Sequence, residues 1–501
     1  MVLNALDKNI VVVGAGTAGL TSALMLRAYF PTYKITIIGS SKIGIIGVGE
    51  GSTEHFRHFV NDCKIDICEL LRETKATFKS GIRFENWTEH TSDYYHSIAG
   101  EPKTNPNGVF FEYLNLADNN RLLSETFNRH TEMHINNVLG PNEFTTIEQM
   151  YQQVNQYHFD TFKMNEYLIK LSIKRNITFI DSEVVCVNKN ASGFIETIQI
   201  TDGSVVGGDF FIDATGLMRV LMKTMDDQRF VSFAEYLPCD SAIAFPTERD
   251  PSGEIRPYTR ARAMNSGWMF EIPTQERRGN GYVYCSEFCT EEEAIREASQ
   301  LLGINVVPKK KFKFNAGYWA KSWQKNCIAI GLSATFVEPL EATSITTSIQ
   351  QARMLASFLP TFTEHTTKSI NEYHRHMDSL MENILSMIAL HYISDREDTP
   401  MWKHLKSIKR PEQLTNMLDL WQERPPARWD IPSTGYEMFL APHFWHVAQG
   451  QGMIKTTQAE KLIYAYQVCE ELNRSISATA INQVNKEHIT HAKALEMLYE
   501  F

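Results

Sequence analysis

Glu338 and Glu341 are the first side chains whose type and spacing suggest chemistry. The string "EPLEATS" (338–344) sets two carboxylates around Pro339 and Leu340, then adds three small residues. Before it, "NCIAIGLSATFV" reads as an apolar strand entering a turn, and after it "ITTSIQQARMLASFL" reads as a helix. A carboxylate there is either a proton acceptor beside a substrate or a helix-start residue favoured by the dipole. A second such stretch is "GAGTAG" (14–19), in which Gly14, Gly16 and Gly19 spell G-x-G-x-x-G between the apolar run "NIVVV" and the helical pattern "LTSALMLRAYF". The first glycine permits a tight turn, the second lets backbone approach a pyrophosphate, and the third lets helix pack on strand. The helix N-terminus, with Thr17 and Ala18, then offers free N–H groups to phosphates.

The elements that must position these groups can be read around them. "YKITIIGS" (33–40) follows as a second strand, completing a β–turn–α–β opening. "FIETIQITDGSVVGGDFFIDATG" (194–216) gives two strands about an Asp-Gly turn, then a third apolar strand ending near Asp213 and Gly216. With "CIAIG" (327–331), three separated apolar strands fit one parallel sheet. The expected class is α/β: a Rossmann-like FAD-binding domain of glutathione-reductase type, a second β-sheet, and a mostly helical substrate domain. The expected boundaries are an FAD-binding core over 1–350, with a site-covering insert at about 86–157 and an antiparallel sheet at about 220–320, then helical chain over 351–501. Residues 159–175 read as an amphipathic helix. The acidic residue that usually ends the second strand and binds a ribose is missing; Ser40 stands there and can exchange one hydrogen bond. "DATG" (213–216) favours FAD over NAD.

Composition narrows the partners. Lys plus Arg is 49 against 59 Asp plus Glu, a net charge of −10, which argues against nucleic acid. "PKKKF" (308–312) and "QERRG" (275–279) are short and read as solvated turns. No stretch approaches the ~20 apolar residues of a membrane span, and the start has no basic n-region or cleavage pattern. The eight cysteines are scattered; Cys63/Cys68 and Cys285/Cys289 lack zinc spacing, "HRH" (374–376) lies in a charged helical stretch, and no metal is expected. This cysteine usage suits a reducing cytoplasm.

Five strings, in order, then point one way: "GVGEGST" (47–53), "KSGIRFENW" (79–87), "GWMFEIP" (267–273), "NCIAIGLSATFVEPLEATS" (326–344) and "ALHYISDREDTPMW" (389–402). Together they resemble the flavin-dependent tryptophan halogenases and their relatives, from the N-terminus to about residue 450. The resemblance implies that a separate flavin reductase supplies reduced FAD, that O2 and a halide ion yield hypohalous acid, and that this acid travels to a lysine beside an aromatic substrate. Lys79 matches that lysine. An ammonium can hydrogen-bond the acid's oxygen and sharpen the halogen, whereas a neutral amine can form a haloamine; both stay open. Glu341 matches the active-site glutamate that stabilises the ring cation and takes its proton. Thr343 and Ser344 match the positions whose N–H groups hold halide. FAD contacts are implied at Val48, Gly49, Gly51, Asp213, Leu332 and Ile345, beside the glycine-rich turn.

Several letters depart from the family pattern. Ala342 and Ser344 replace its Ser and Gly, and a Cβ at Ser344 restricts backbone that glycine leaves free, so the choice among chloride, bromide and iodide stays open. The W-x-W-x-I-P motif reads Trp268, Phe270, Ile272, Pro273. "YYHSIAG" (94–100) keeps His96 but has Ile98 where an aromatic would stack on substrate, and "EMFLAPHFWHVAQGQG" (437–452) supplies Phe444 and Trp445 without residues that align to grip an amino-acid head group. The expected substrate is therefore an electron-rich aromatic or indole small molecule other than free tryptophan. A flavin-dependent aromatic monooxygenase and a non-catalytic FAD-binding protein are the rival readings, and a homo-oligomer is compatible with the chain.

Overall fold

Ile10, Val11, Val12 and Val13 are buried on both faces, as a central parallel strand requires. In the computed structural model, which describes residues 7–45, 47, 49–89, 93–97, 138–141, 156–423, 428–432, 434–453 and 488–500, this strand (Asn9–Val13) sits inside a six-stranded sheet. The order is Trp323–Gln324, Cys327–Ala329, Phe210–Asp213, Asn9–Val13, Lys34–Gly39 and Thr178–Asp181. All neighbours are parallel except the first pair. The three distant apolar segments thus meet in one sheet, and Thr17–Tyr29 follows the first strand as a helix.

The second sheet has seven strands, ordered Lys310–Lys313, Ser241–Thr247, Arg278–Tyr284, Gly267–Pro273, Thr259–Met264, Gly81–Glu85 and Asp93–Ser97. Two of these lie outside the expected 220–320 range, and the pair Gly81–Glu85/Thr259–Met264 is parallel, so the sheet is mixed rather than antiparallel. Asp93–Ser97 also gives part of the expected insert a place in this sheet; residues 90–92, 98–137 and 142–155 of that insert lie outside the described residues. A small sheet joins Glu50–Gly51 and Thr77–Lys79 through Gln156–Phe159. The helix expected over 159–175 is Thr161–Lys174, capped by Asp160, whose carboxylate accepts the N–H groups of Phe162 and Lys163.

Among the described residues after 350 the chain is mostly helical, with Lys368–His391 the longest element. The expected boundary at 350/351 falls inside the helix Thr343–Phe358. One hydrophobic cluster runs from Ile10 through Trp268 to Leu390 and Phe444, so the helical segments share the core of the sheets. His374 of "HRH" is buried and its Nε2 accepts the N–H of Trp323. No group able to hold a metal, and no helix long and apolar enough to cross a membrane, occurs among the described residues.

Candidate active site

Lys79 ends a three-residue strand, with Gln156 opposite it. Its side chain is 1% exposed, and Nζ donates to the carbonyl oxygen of Ser52 at 2.8 Å. Burial pushes the ammonium down to about 8, against the pull of Glu341 and Glu54. A lysine this buried is costly to keep for packing alone.

The "EPLEATS" segment is a short 3₁₀ turn, Pro339–Glu341, then Ala342 in the left-handed region (φ 55°), then the helix Thr343–Phe358. Glu341 ends the turn, directly before the helix N-cap Ala342. The backbone restriction expected at Ser344 falls instead at Ala342, because Ser344 is already helical. No side chain caps this helix, so its first N–H groups are left for an anion. Thr343 is buried and Ser344 is exposed. Gly51 joins the two segments: a Cβ there would lie 3.6 Å from Lys79 Nζ and 3.5 Å from Ala342 Cβ.

Glu341 is 2% exposed and takes a hydrogen bond at each oxygen. Oε2 lies 2.7 Å from His96 Nδ1 and Oε1 lies 2.6 Å from His391 Nε2. Burial alone would raise its pKa; the charge of His96 and the hydrogen bonds from His391 and His96 outweigh burial and hold the carboxyl well below the usual carboxylate range. Behind His96, Nε2 meets His443 Nδ1 at 2.9 Å, and His443 Nε2 lies 3.7 Å from Glu54. Burial pushes His443 down to about 4. His96, expected against substrate, is thus turned toward Glu341. His391, His443, Glu54 and Ser52 escaped sequence reasoning, although His391, His443 and Ser52 lie in the quoted strings "ALHYISDREDTPMW", "EMFLAPHFWHVAQGQG" and "GVGEGST".

Glu338 is the other carboxylate of the turn. Its Oε2 accepts from Trp268 Nε1 at 2.7 Å and Tyr392 Oη at 2.6 Å, while burial pushes it up to about 7. It anchors an indole and a phenol and holds no base. Trp268 is the second residue of the strand Gly267–Pro273, whose Ile272 packs near Gly49: a Cβ on Gly49 would lie 3.4 Å from its methyl. Phe270, half-buried, sits 5.9 Å from the Trp268 ring. This strand therefore touches both the 47–51 loop, through Ile272, and the carboxylate turn, through Trp268.

The glycine-rich turn has the form a dinucleotide needs. Gly14 takes φ 111°, and a Cβ there would meet the Ala214 oxygen at 2.1 Å. A Cβ on Gly16 would meet nothing within 4 Å, so its backbone faces open space. No side chain caps the following helix, which leaves the N–H groups of Thr17, Ala18 and Gly19 for phosphate. These features fit the pyrophosphate of FAD. Two expected contacts are otherwise employed. Asp213 is fully buried and accepts from the backbone of Thr215, Leu221 and Met222 and the hydroxyls of Thr215 and Ser333, so it fixes the turn. Ser40 accepts from the N–H groups of Lys42 and Ile43 and donates to Glu183 at 3.2 Å. Glu183 thus brings a carboxylate to the strand end where the sequence lacks one. Leu332 is half-buried and Ile345 is buried. Phe444 is buried in the helix Ala441–Gly450, which also carries Trp445; Val48 and Ile98 lie outside the described residues.

A family model described as tryptophan halogenase matches residues 9–466. The chain is 31% identical over 447 residues to the tryptophan 6-halogenase SttH of Streptomyces toxytricini, covering 83% of this chain and 84% of that protein. Among solved structures it resembles Tar14, a tryptophan C-6 flavin-dependent halogenase (chlorinase) from taromycin biosynthesis, with TM-score 0.90, 28% identity and coverage of 98% and 100%. It is also similar to a tryptophan halogenase from Shewanella frigidimarina NCIMB 400, with TM-score 0.88, 25% identity and coverage of 99% and 98%.

Proposed function

Because this chain belongs to the tryptophan halogenase family of flavin-dependent halogenating oxidoreductases, we propose that it halogenates an electron-rich aromatic or indole small molecule other than free tryptophan, guided by Lys79 and Glu341. The observation that carries the reading is the pairing of a buried lysine and a buried carboxylate on segments that flank Gly51, next to an uncapped helix N-terminus. When bound, reduced FAD from a separate flavin reductase supplies, with O2, the oxidation of halide to hypohalous acid.

This chain's residues act on that acid. The N–H groups of Thr343 and Ser344 hold the halide. The Lys79 ammonium donates to the oxygen of the hypohalous acid, which makes the halogen more electrophilic. The ring carbon forms its bond to halogen as the halogen–oxygen bond breaks, and hydroxide takes the Lys79 proton to become water. Glu341, ionised, stabilises the ring cation and accepts its proton, which then restores the ammonium. Gly14 and Gly16 would admit the nucleotide's pyrophosphate, and Glu183 would accept from a ribose hydroxyl.

The test supplies a flavin reductase, NADH, FAD, O2 and chloride, bromide or iodide in turn, against a panel of indoles, phenols and free tryptophan. Mass spectrometry of the product is the readout. A halogen isotope pattern on a non-tryptophan aromatic is expected. Addition of one oxygen would mark a monooxygenase, and halogenation of free tryptophan in preference to every other substrate would overturn the substrate assignment.

A further inference from the structure

Each imidazole that holds Glu341 has a second nitrogen, and what that nitrogen meets decides whether the first one donates. On the His391 side the assignment starts from a group that can only accept. The His391 carbonyl oxygen lies 2.7 Å from Gln451 Nε2, which fixes that nitrogen as the amide NH2. The same nitrogen lies 3.2 Å from Tyr94 Oη and gives it a hydrogen. The phenol's own hydrogen is then directed to His391 Nδ1, 2.9 Å away. That leaves the imidazole proton on Nε2, where it donates to Glu341 Oε1 at 2.6 Å.

The packing holds these planes. Phe84 stacks on Tyr94 (4.9 Å, 8° between planes) and on His391 (4.3 Å, 22°). A Cβ on Gly450 would lie 2.4 Å from the Tyr94 ring, so the helix brings Gln451 to the phenol only because residue 450 lacks one. Tyr94, His391 and Gln451 are all buried, so no bulk water competes for the string.

We propose that Tyr94 and Gln451 are positioning residues that lock His391 in the Nε2–H tautomer and thereby hold Glu341 as a carboxylate aimed at the substrate. The proposal rests on the reading that Glu341 accepts the ring proton. An imidazole with the other tautomer would present a lone pair to Glu341 and favour its protonated form, which is no base. The titratable groups around the carboxylate are His96 from the strand Asp93–Ser97, His391 from the helix Lys368–His391 and Lys79 from the strand Thr77–Lys79; His443 and Glu54 lie behind His96. His391 itself is faced by Glu341 and Tyr94, with His96 beyond. Burial pushes the His391 imidazole below its ordinary range, against the pull of Glu341, and pushes the Tyr94 phenol well above its own, so the phenol keeps a proton to donate.

Tyr94→Phe removes one oxygen and keeps the stacked ring. It is expected to lower kcat for aryl halogenation by about 10- to 100-fold, the scale of losing the partner behind a functional imidazole. The acidic limb of the kcat profile moves to higher pH, KM for the aromatic changes little, and hypohalous acid trapped by a diketone forms at the wild-type rate. Unchanged kcat and an unchanged acidic limb would overturn the proposal. Nitrogen-15 spectra of labelled histidine decide independently of turnover: wild-type His391 must show Nε2–H, and Nδ1–H there overturns the proposal even if the variant folds poorly. A wild type that forms hypohalous acid but halogenates no aromatic would refute the functional reading while leaving the tautomer measurement to judge the lock.

Discussion

Replacing Lys79 by methionine should make the protein more stable and abolish aryl halogenation. The ammonium sits at about 8 in the fold against an ordinary 10.5. That difference of about 2.5 pH units corresponds to about 3 kcal/mol at 1.36 kcal/mol per unit. Methionine keeps most of the volume but loses the bond to the Ser52 carbonyl, whose desertion costs about 1–2 kcal/mol. The net gain at pH 7 is about 1–2 kcal/mol, or roughly 1–3 °C in melting temperature for a chain of this size. The gain depends on pH with a definite sign. Between pH 8 and 10.5 the unfolded chain holds a proton on Lys79 that the folded chain has lost, so wild-type stability rises with pH across that window. At pH 9.5 the advantage of the variant should therefore shrink by about 2 kcal/mol and reverse. Differential scanning calorimetry of the FAD-free protein at pH 7 and 9.5 measures it. A variant destabilised equally at both pH values would show that Lys79 is no strained buried charge, and the argument for its functional retention would fall.

Glu341→Gln should lower aryl halogenation about 10²–10⁴-fold, the scale of losing a general base, while a diketone trap still captures hypohalous acid. Wild-type aryl halogenation, normalised to trapped hypohalous acid, should fall as pH rises through about 8, since the working form of Lys79 is the ammonium; a rise through the same window would assign the work to the free amine. Ala342→Gly relieves a left-handed backbone (φ 55°) and should stabilise by up to about 1 kcal/mol, read as a melting shift. Gly14→Ala places a Cβ 2.1 Å from the Ala214 oxygen at φ 111° and should abolish FAD retention, read by flavin absorbance after gel filtration.

The nucleotide end was the most legible in sequence, because its demands are local: a strand, three glycines at fixed spacing and a helix all lie within twenty-one residues, from Asn9 to Tyr29. The pairing of Asn9–Val13, Phe210–Asp213 and Cys327–Ala329 was legible too, since continuous apolar runs mark strands buried on both faces. Lys79 and Glu341 were named through quoted strings, but neither spacing nor composition shows that both are buried or that Gly51 lies between Lys79 and the carboxylate turn.

What only the tertiary structure decided is the set of partners. Glu341 meets His96 from 245 residues away and His391 from 50 residues away, and Tyr94 reaches Gln451 across 357. Such pairs have no sequence signature, because a hydrogen bond constrains two atoms in space and leaves the intervening chain free. The same reason explains Ser40 and Asp213: each has a residue type suited to a cofactor, and only the fold shows that each also fixes a turn. The sequence alone established the chemical inventory and the nucleotide turn; the fold determined which carboxylate is held ionised, by whom, and which lysine bears the cost of burial.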